Sequence, residues 1–215
     1  MPMHSPAAGT DDCLSMQKLC RSYQRDGATI LNLDAELPMC RESSLLNAYY
    51  GRLFRRLSGF CAEKLLPMLP NPEQPLKLSL TYRIRLVTPA LLSLTLELTR
   101  QDKHTMPAAR FGQVWSRSSW VPLSLQAFFP KAAGLRRQIR DRLRSEALER
   151  LRSGYCLYDP LMAEQAGQLY SIHDFYAAES GLVLFFQPLI LGSAAEGIPE
   201  FLLPWDPSGP IPPEK

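Results

Sequence analysis

The residue types that could do chemistry are scattered along this chain, with one exception. His4, His104 and His173 stand far apart, and none forms a recognisable nucleophile motif with a nearby serine, aspartate or cysteine. Cys13, Cys20, Cys40, Cys61 and Cys156 form no CxxC pair and lack metal-ligand spacing, so zinc is not expected. Reduced thiols in a cytosolic protein fit this usage best, with two disulfides and one free thiol as the alternative. Asp159, Glu164, Asp174 and Glu200 are carboxylates separated in sequence. No P-loop, GxGxxG, GxSxG or HExxH occurs. The chain does not read as an enzyme, and no cofactor is implied.

The exception is the run 131–152, where seven arginines and one lysine stand against Asp141, Glu146 and Glu149. Its net charge is +5, so the remainder of this +3 chain carries −2. Leu135, Ile139, Leu143, Ala147 or Leu148, and Leu151 recur at helical spacing and mark a buried stripe. The opposite face is basic. Glu146–Arg150 is an i,i+4 pair, and Asp141 lies one turn from Arg137 and Arg144, which neutralises part of the charge. A solvated face is the plain reading. An acidic protein partner docking on Arg136, Arg137, Arg140 and Arg144 is the sharper one. Nucleic acid is not favoured, because no aromatic residue interleaves with the arginines as a stacking platform.

The elements around that helix follow from periodicity. Residues 28–33 suggest an early strand, with Leu37-Pro38 ending the segment. Ser43 or Ser44 caps a long helix whose apolar face is Leu46, Tyr49, Tyr50, Leu53, Leu57, Phe60, Cys61 and Leu65. Pro67, Pro70, Pro72 and Pro75 close it. Residues 78–86 and 92–98 alternate apolar and polar on either side of Thr88-Pro89, the pattern of an antiparallel hairpin with one dry face and one wet face. Residues 111–115 read as another strand, and a short helix is expected near 160–168.

The stretch 175–205, FYAAESGLVLFFQPLILGSAAEGIPEFLLPW, organises the whole. Phe175-Tyr176 opens a strand, Glu179-Ser180-Gly181 turns, and residues 182–186 contain nothing polar, which suits a strand covered on both faces. Pro188 stops the ladder, and residues 198–203 resume an extended run.

These residues carry a resemblance. An aromatic pair, an aromatic-ended strand, Gln187-Pro188, then Gly197-Ile198-Pro199-Glu200-Phe201 and Pro204-Trp205 look like the C-terminal signature of a domain of unknown function. That domain is shared by the lysozyme-sensing anti-sigma factor RsiV and PdaC-type polysaccharide deacetylases. Leu46-Asn47, Leu92-Ser93 and Gln126-Ala127-Phe128-Phe129 resemble further family positions, and His104 stands where relatives carry a Gly-Gly-Ala-His turn. The loop departs from the pattern at Leu189, Ser193 and Ala194, where relatives commonly have tyrosines and a proline. The resemblance implies a non-catalytic binding or sensing domain, with lysozyme or cell-wall glycan as the partner class. Its candidate ligand contacts are His104, Tyr176, Gln187, Glu196, Glu200 and Trp205.

Length and composition agree with one domain. The chain has 215 residues and 46% hydrophobic content, enough for a proper core. The N-terminus has no basic region followed by an apolar one, and no run reaches the ~18 apolar residues of a membrane helix. A cytoplasmic location is therefore expected, or an extracellular one if an export signal precedes this sequence. The expected architecture is a single α+β domain over 21–205, with an antiparallel sheet of about six strands on two main helices. Residues 1–20 and the proline-rich 206–215 are expected as flexible tails.

Overall fold

The computed structural model describes residues 13–70, 74–101, 105–129, 135–207 and 209–212. Five strands form one mixed sheet in sequence order: β1 (Leu14–Arg25), β2 (Ala28–Cys40), β3 (Leu76–Val87), β4 (Leu91–Gln101) and β5 (Thr105–Ser116). Three more form a separate antiparallel sheet: β6 (Phe175–Ala178), β7 (Gly181–Phe185) and β8 (Glu200–Pro204). The α+β class is as expected.

β1 begins at Leu14, inside the stretch expected as a tail. Asp26 and Gly27 both have positive φ, 51° and 81°, and Arg25 pairs directly with Ala28. That is a two-residue primed turn, the geometry an Asp-Gly pair favours. Few β1 side chains are buried, so the ladder to β2 holds it more than packing does. β2 runs on through Pro38 to Cys40. The Arg41 amide donates to Cys13 on the β1 side, whereas the Cys40 amide donates to Asn47 Oδ1 on the other side. By alternation Pro38 faces that second side, where β3 pairs only with Leu31–Ala35, so its missing N–H interrupts no ladder.

Helix α1 (Ser44–Phe60) continues through a π-helical turn, Cys61–Leu65, to Met68. Ser43 is its N-cap, accepting from the Leu46 amide at 3.0 Å. This helix is the crossover that lets β2 and β3 run parallel. Leu46 and Tyr50 pack on Leu92, Leu94, Leu96 and Trp115, and Trp115 Nε1 donates to Tyr50 Oη at 3.1 Å. Phe60, expected on the buried face, is 55% exposed. Asn47 Nδ2 also donates to the Cys40 carbonyl at 2.9 Å, so one side chain fastens α1 to the end of β2.

The opposite face of β4 was expected to be wet. Instead Ser93 and Thr95 are fully buried. β6 lies across this face, and the Ala177 amide donates to Ser93 Oγ at 2.9 Å. Gly112 on β5 makes room for it: a Cβ there would stand 1.9 Å from the Phe175 carbonyl oxygen. Every residue of β7 is buried, as its unbroken apolar run predicts.

Helices α2 (Leu135–Ser153) and α3 (Pro160–Leu169) complete this second layer. Leu135, Ile139, Leu143 and Ala147 are the buried stripe of α2, as expected; its start before Leu135 lies outside the described residues. α3 starts on Pro160 with Asp159 as N-cap. Its Ala163, Ala166 and Gly167 let it press against α2, where a Cβ on Gly167 would stand 2.3 Å from the Arg140 carbonyl oxygen. Within the expected C-terminal tail, described residues 209–212 also pack. Pro210 is buried, and the Ile211 amide donates to the Phe128 carbonyl at 2.7 Å. Proline removes donors but not apolar surface, so a short proline-rich end still packs. Among the described residues no helix is long and apolar enough to cross a membrane.

Candidate functional site

Two polar regions stand out, and they differ in kind. The first lies where the two sheets meet. Glu97 on β4 and Arg110 on β5 are register partners, so both project toward the second sheet. Arg110 Nε donates to Glu97 Oε1 at 2.8 Å, and its guanidinium also pairs with Glu200 on β8. The same guanidinium sits 5.5 Å from the centre of the Phe185 ring. Glu200 accepts from Tyr176 Oη at 3.1 Å through its other oxygen. Arg85 donates from Nε to Thr95 Oγ1 at 2.9 Å and lies 4.8 Å over the Tyr176 ring. Gln187 makes a reciprocal pair with the Arg110 backbone, 2.9 Å to the amide and 2.8 Å to the carbonyl.

This cluster balances two arginines against two glutamates. Burial, and then the charge of Glu200, push the Tyr176 hydroxyl up to about 12. It is therefore a neutral donor at ordinary pH. Three of the expected ligand residues, Tyr176, Gln187 and Glu200, meet here, each engaged by internal partners. Arg85, Glu97 and Arg110 are additions that local sequence reading misses. The available signal was a charge standing inside each of three otherwise β-prone runs.

The other expected ligand residues are elsewhere. Glu196 accepts from the Leu157 amide at 2.5 Å and helps hold the 189–196 loop to the α2–α3 connection. The Asp159 amide donates to Leu191 at 2.8 Å and does the same. Trp205 Nε1 bonds the carbonyls of Ala178 and Glu179, at 3.2 and 3.0 Å. His104 lies outside the described residues.

The second region is the basic face of α2. Arg136, Arg137, Arg140 and Arg144 are all exposed. Arg137 reaches Asp141 at 3.7 Å, and Arg144 reaches Glu164 on α3 at 2.8 Å. Beside the first three lies a groove of about 600 Å³ whose floor includes Leu135, Ile139, Tyr170 and Ile172. Ser124, Gln126 and His173 complete its rim. Arg150, at the far end of the helix, faces inward: it bonds Glu146 at 2.6 Å and the Glu200 carbonyl at 2.7 Å, and stacks 4.3 Å over Phe201.

The described residues thus form an α+β fold in which a five-stranded and a three-stranded sheet meet at a charge-balanced seam. Residues 128–206, less than half of the chain, match the family described as "Protein of unknown function (DUF3298)". A DUF3298 family protein from Pseudomonas aeruginosa PAO1 has a similar structure, with a TM-score of 0.60 at 15% identity over 90% of this chain and 92% of that one. A DUF3298 family member from Bacteroides fragilis NCTC 9343 is similar at a TM-score of 0.59 and 13% identity, over 89% of each chain. At such identities the likeness establishes the shared fold. No curated protein matches the chain.

Proposed function

We propose that this chain is a non-catalytic binding or sensing domain of the RsiV/PdaC type, and that it meets an acidic partner along the arginine face of α2. The carrying observation is the contrast in pairing. Tyr176, Gln187 and Glu200, the signature residues expected to touch ligand, have internal partners. Arg136, Arg137 and Arg140 instead border an open groove with an apolar floor, and the basic charge there exceeds the local acids. Such a surface suits a ligand that offers carboxylates over an apolar body. The C-terminal family match supports the kinship on which the binding role rests.

Calorimetric titration tests this, with lysozyme, cell-wall oligosaccharide and an acidic polypeptide (poly-glutamate) as separate injectants. The reading requires saturable binding of poly-glutamate, weakened at least tenfold when Arg136, Arg137, Arg140 and Arg144 are reversed to Glu. Lysozyme or oligosaccharide binding that survives the reversal keeps the sensing role and removes the arginine face from it. Silence with all three injectants overturns the reading.

A further inference from the structure

The cysteines divide by place. Cys20 is exposed on the outer strand, Cys61 lies in the π turn of α1, and Cys156 lies between α2 and α3. Cys13 and Cys40 are different. They are 27 positions apart in sequence, yet their sulfurs lie 3.4 Å apart, and both are buried in the cluster that includes Leu37, Leu46 and Tyr50. Their backbones are already fixed: the Arg41 amide donates to the Cys13 carbonyl at 3.0 Å, and Asn47 holds both polar groups of Cys40.

We infer that Cys13 and Cys40 are a built disulfide site that locks the N-terminal strand onto the β2–α1 junction in oxidising surroundings. A disulfide needs the sulfurs at about 2.0 Å. The remaining approach is about 1.4 Å, within the reach of a χ1 adjustment when the backbone anchors are already placed. The chemistry is thiol–disulfide exchange with an oxidant of the disulfide class. One thiolate attacks the oxidant's S–S bond, forming a mixed disulfide and expelling one thiol. The second thiolate then displaces the other half, so the S–S bond passes to the protein and two thiols leave on the oxidant. Burial protects the pair while β1 is seated, so exchange proceeds on the folding chain or when the start of β1 opens.

The lock has a mechanical purpose visible in the fold. β1 is an edge strand with few buried side chains, and its far end is already closed by the Asp26-Gly27 turn. A bond at Cys13 closes the near end. Without it the strand is held chiefly by its ladder, and ladder ends fray first.

The full chain, incubated with oxidised glutathione and then alkylated and digested, tests this by peptide mass mapping and thermal melting. We expect a linked fragment pair containing Cys13 and Cys40, and a melting temperature raised by about 5 °C, reversed by dithiothreitol. Cys13→Ala and Cys40→Ala should each remove the oxidant's effect on melting. If either variant fails to fold, the linked-fragment map of the unsubstituted chain decides alone. Alkylation of both Cys13 and Cys40 after oxidation, or their linkage to other cysteines, overturns the inference. Linkage without any change in melting overturns the lock.

Discussion

The seam between the sheets and the arginine face of α2 use the same side chains to opposite ends. At the seam, Arg110 is 8% exposed and its charge is met by Glu97 and Glu200. On α2, Arg137 has a side chain 88% exposed, and its nearest acid is a loose helical pair. A buried ion network that loses one member leaves an uncompensated charge, whereas an exposed arginine that is lost is replaced by water. Residue type therefore says little about role here. The number of internal partners says more: it assigns the seam to architecture, whereas the helix face presents most of its charge to solvent.

The seam should be the fragile region, and its weakest tolerance is for volume. Gly112→Ala places a methyl against the Phe175 backbone, which has no side chain to rotate away. We expect a loss on the order of 3 kcal/mol or more in urea unfolding, because β6 must lift from β5. A near-neutral result would mean that the two sheets slide freely, and the seam would lose its claim to be rigid architecture.

Arg110→Met comes next. It keeps the apolar stem but removes the nearest cation from Glu97 and Glu200, whose side chains are 18% and 38% exposed, leaving Glu97 only Arg85 at 4.0 Å and Glu200 only the Tyr176 hydroxyl. The partial access of Glu200 discounts the penalty, and a loss of about 2–3 kcal/mol is expected. Adding Glu97→Gln and Glu200→Gln to Arg110→Met should recover part of it, since the under-compensated charges are then gone. A triple variant no better than the single one would show that packing around the guanidinium, not charge, holds the seam.

How much of this was legible beforehand depends on the distance between partners. The α2 stripe, the Ser43 cap, the β6–β7 hairpin and the apolar β7 run are set by neighbours within a few residues, and periodicity reveals them. β1 was missed although Asp26-Gly27 is a turn signal, because its side chains are mostly polar and its apolar pattern is thin. The wet face expected for β4 is dry because β6, more than 80 residues downstream, lands on Ser93. The Arg110 cluster joins residues 13 and 90 positions away, so no local window contains it. Tyr176, Gln187 and Glu200 are expected from the family signature as ligand contacts, and the structure places them on β6, just past the end of β7 and on β8. Their engagement with one another, and not with an open cavity, is a property only the assembled sheets display.

Alkaline pH offers a milder probe of the seam. An unfolded tyrosine titrates near 10, and burial beside Glu200 raises Tyr176 to about 12. The native state therefore binds this proton more tightly than the unfolded state does. Its contribution is fully present below pH 10 and is lost as pH rises from 10 through 12. Urea midpoints across that range should fall, and Tyr176→Phe should remove this component of the fall. An identical slope in the variant would place the alkaline sensitivity on other groups.

The smallest effect belongs to the other side of the comparison. Arg136→Ala, Arg137→Ala and Arg140→Ala, made singly, should each alter unfolding stability by no more than about 0.5 kcal/mol. Arg137 gives up only its pairing with Asp141 at 3.7 Å, and alanine's higher helix propensity offsets part of that loss. Arg136 and Arg140 project from α2 beside the groove, and their removal uncovers apolar floor without stranding an acid. The three changes should act additively, since no side chain among them holds another. A cost of 2 kcal/mol at any one would mean that the residue is bound into the fold as Arg110 is, and the division between a structural seam and a solvent-facing helix would fail at that position.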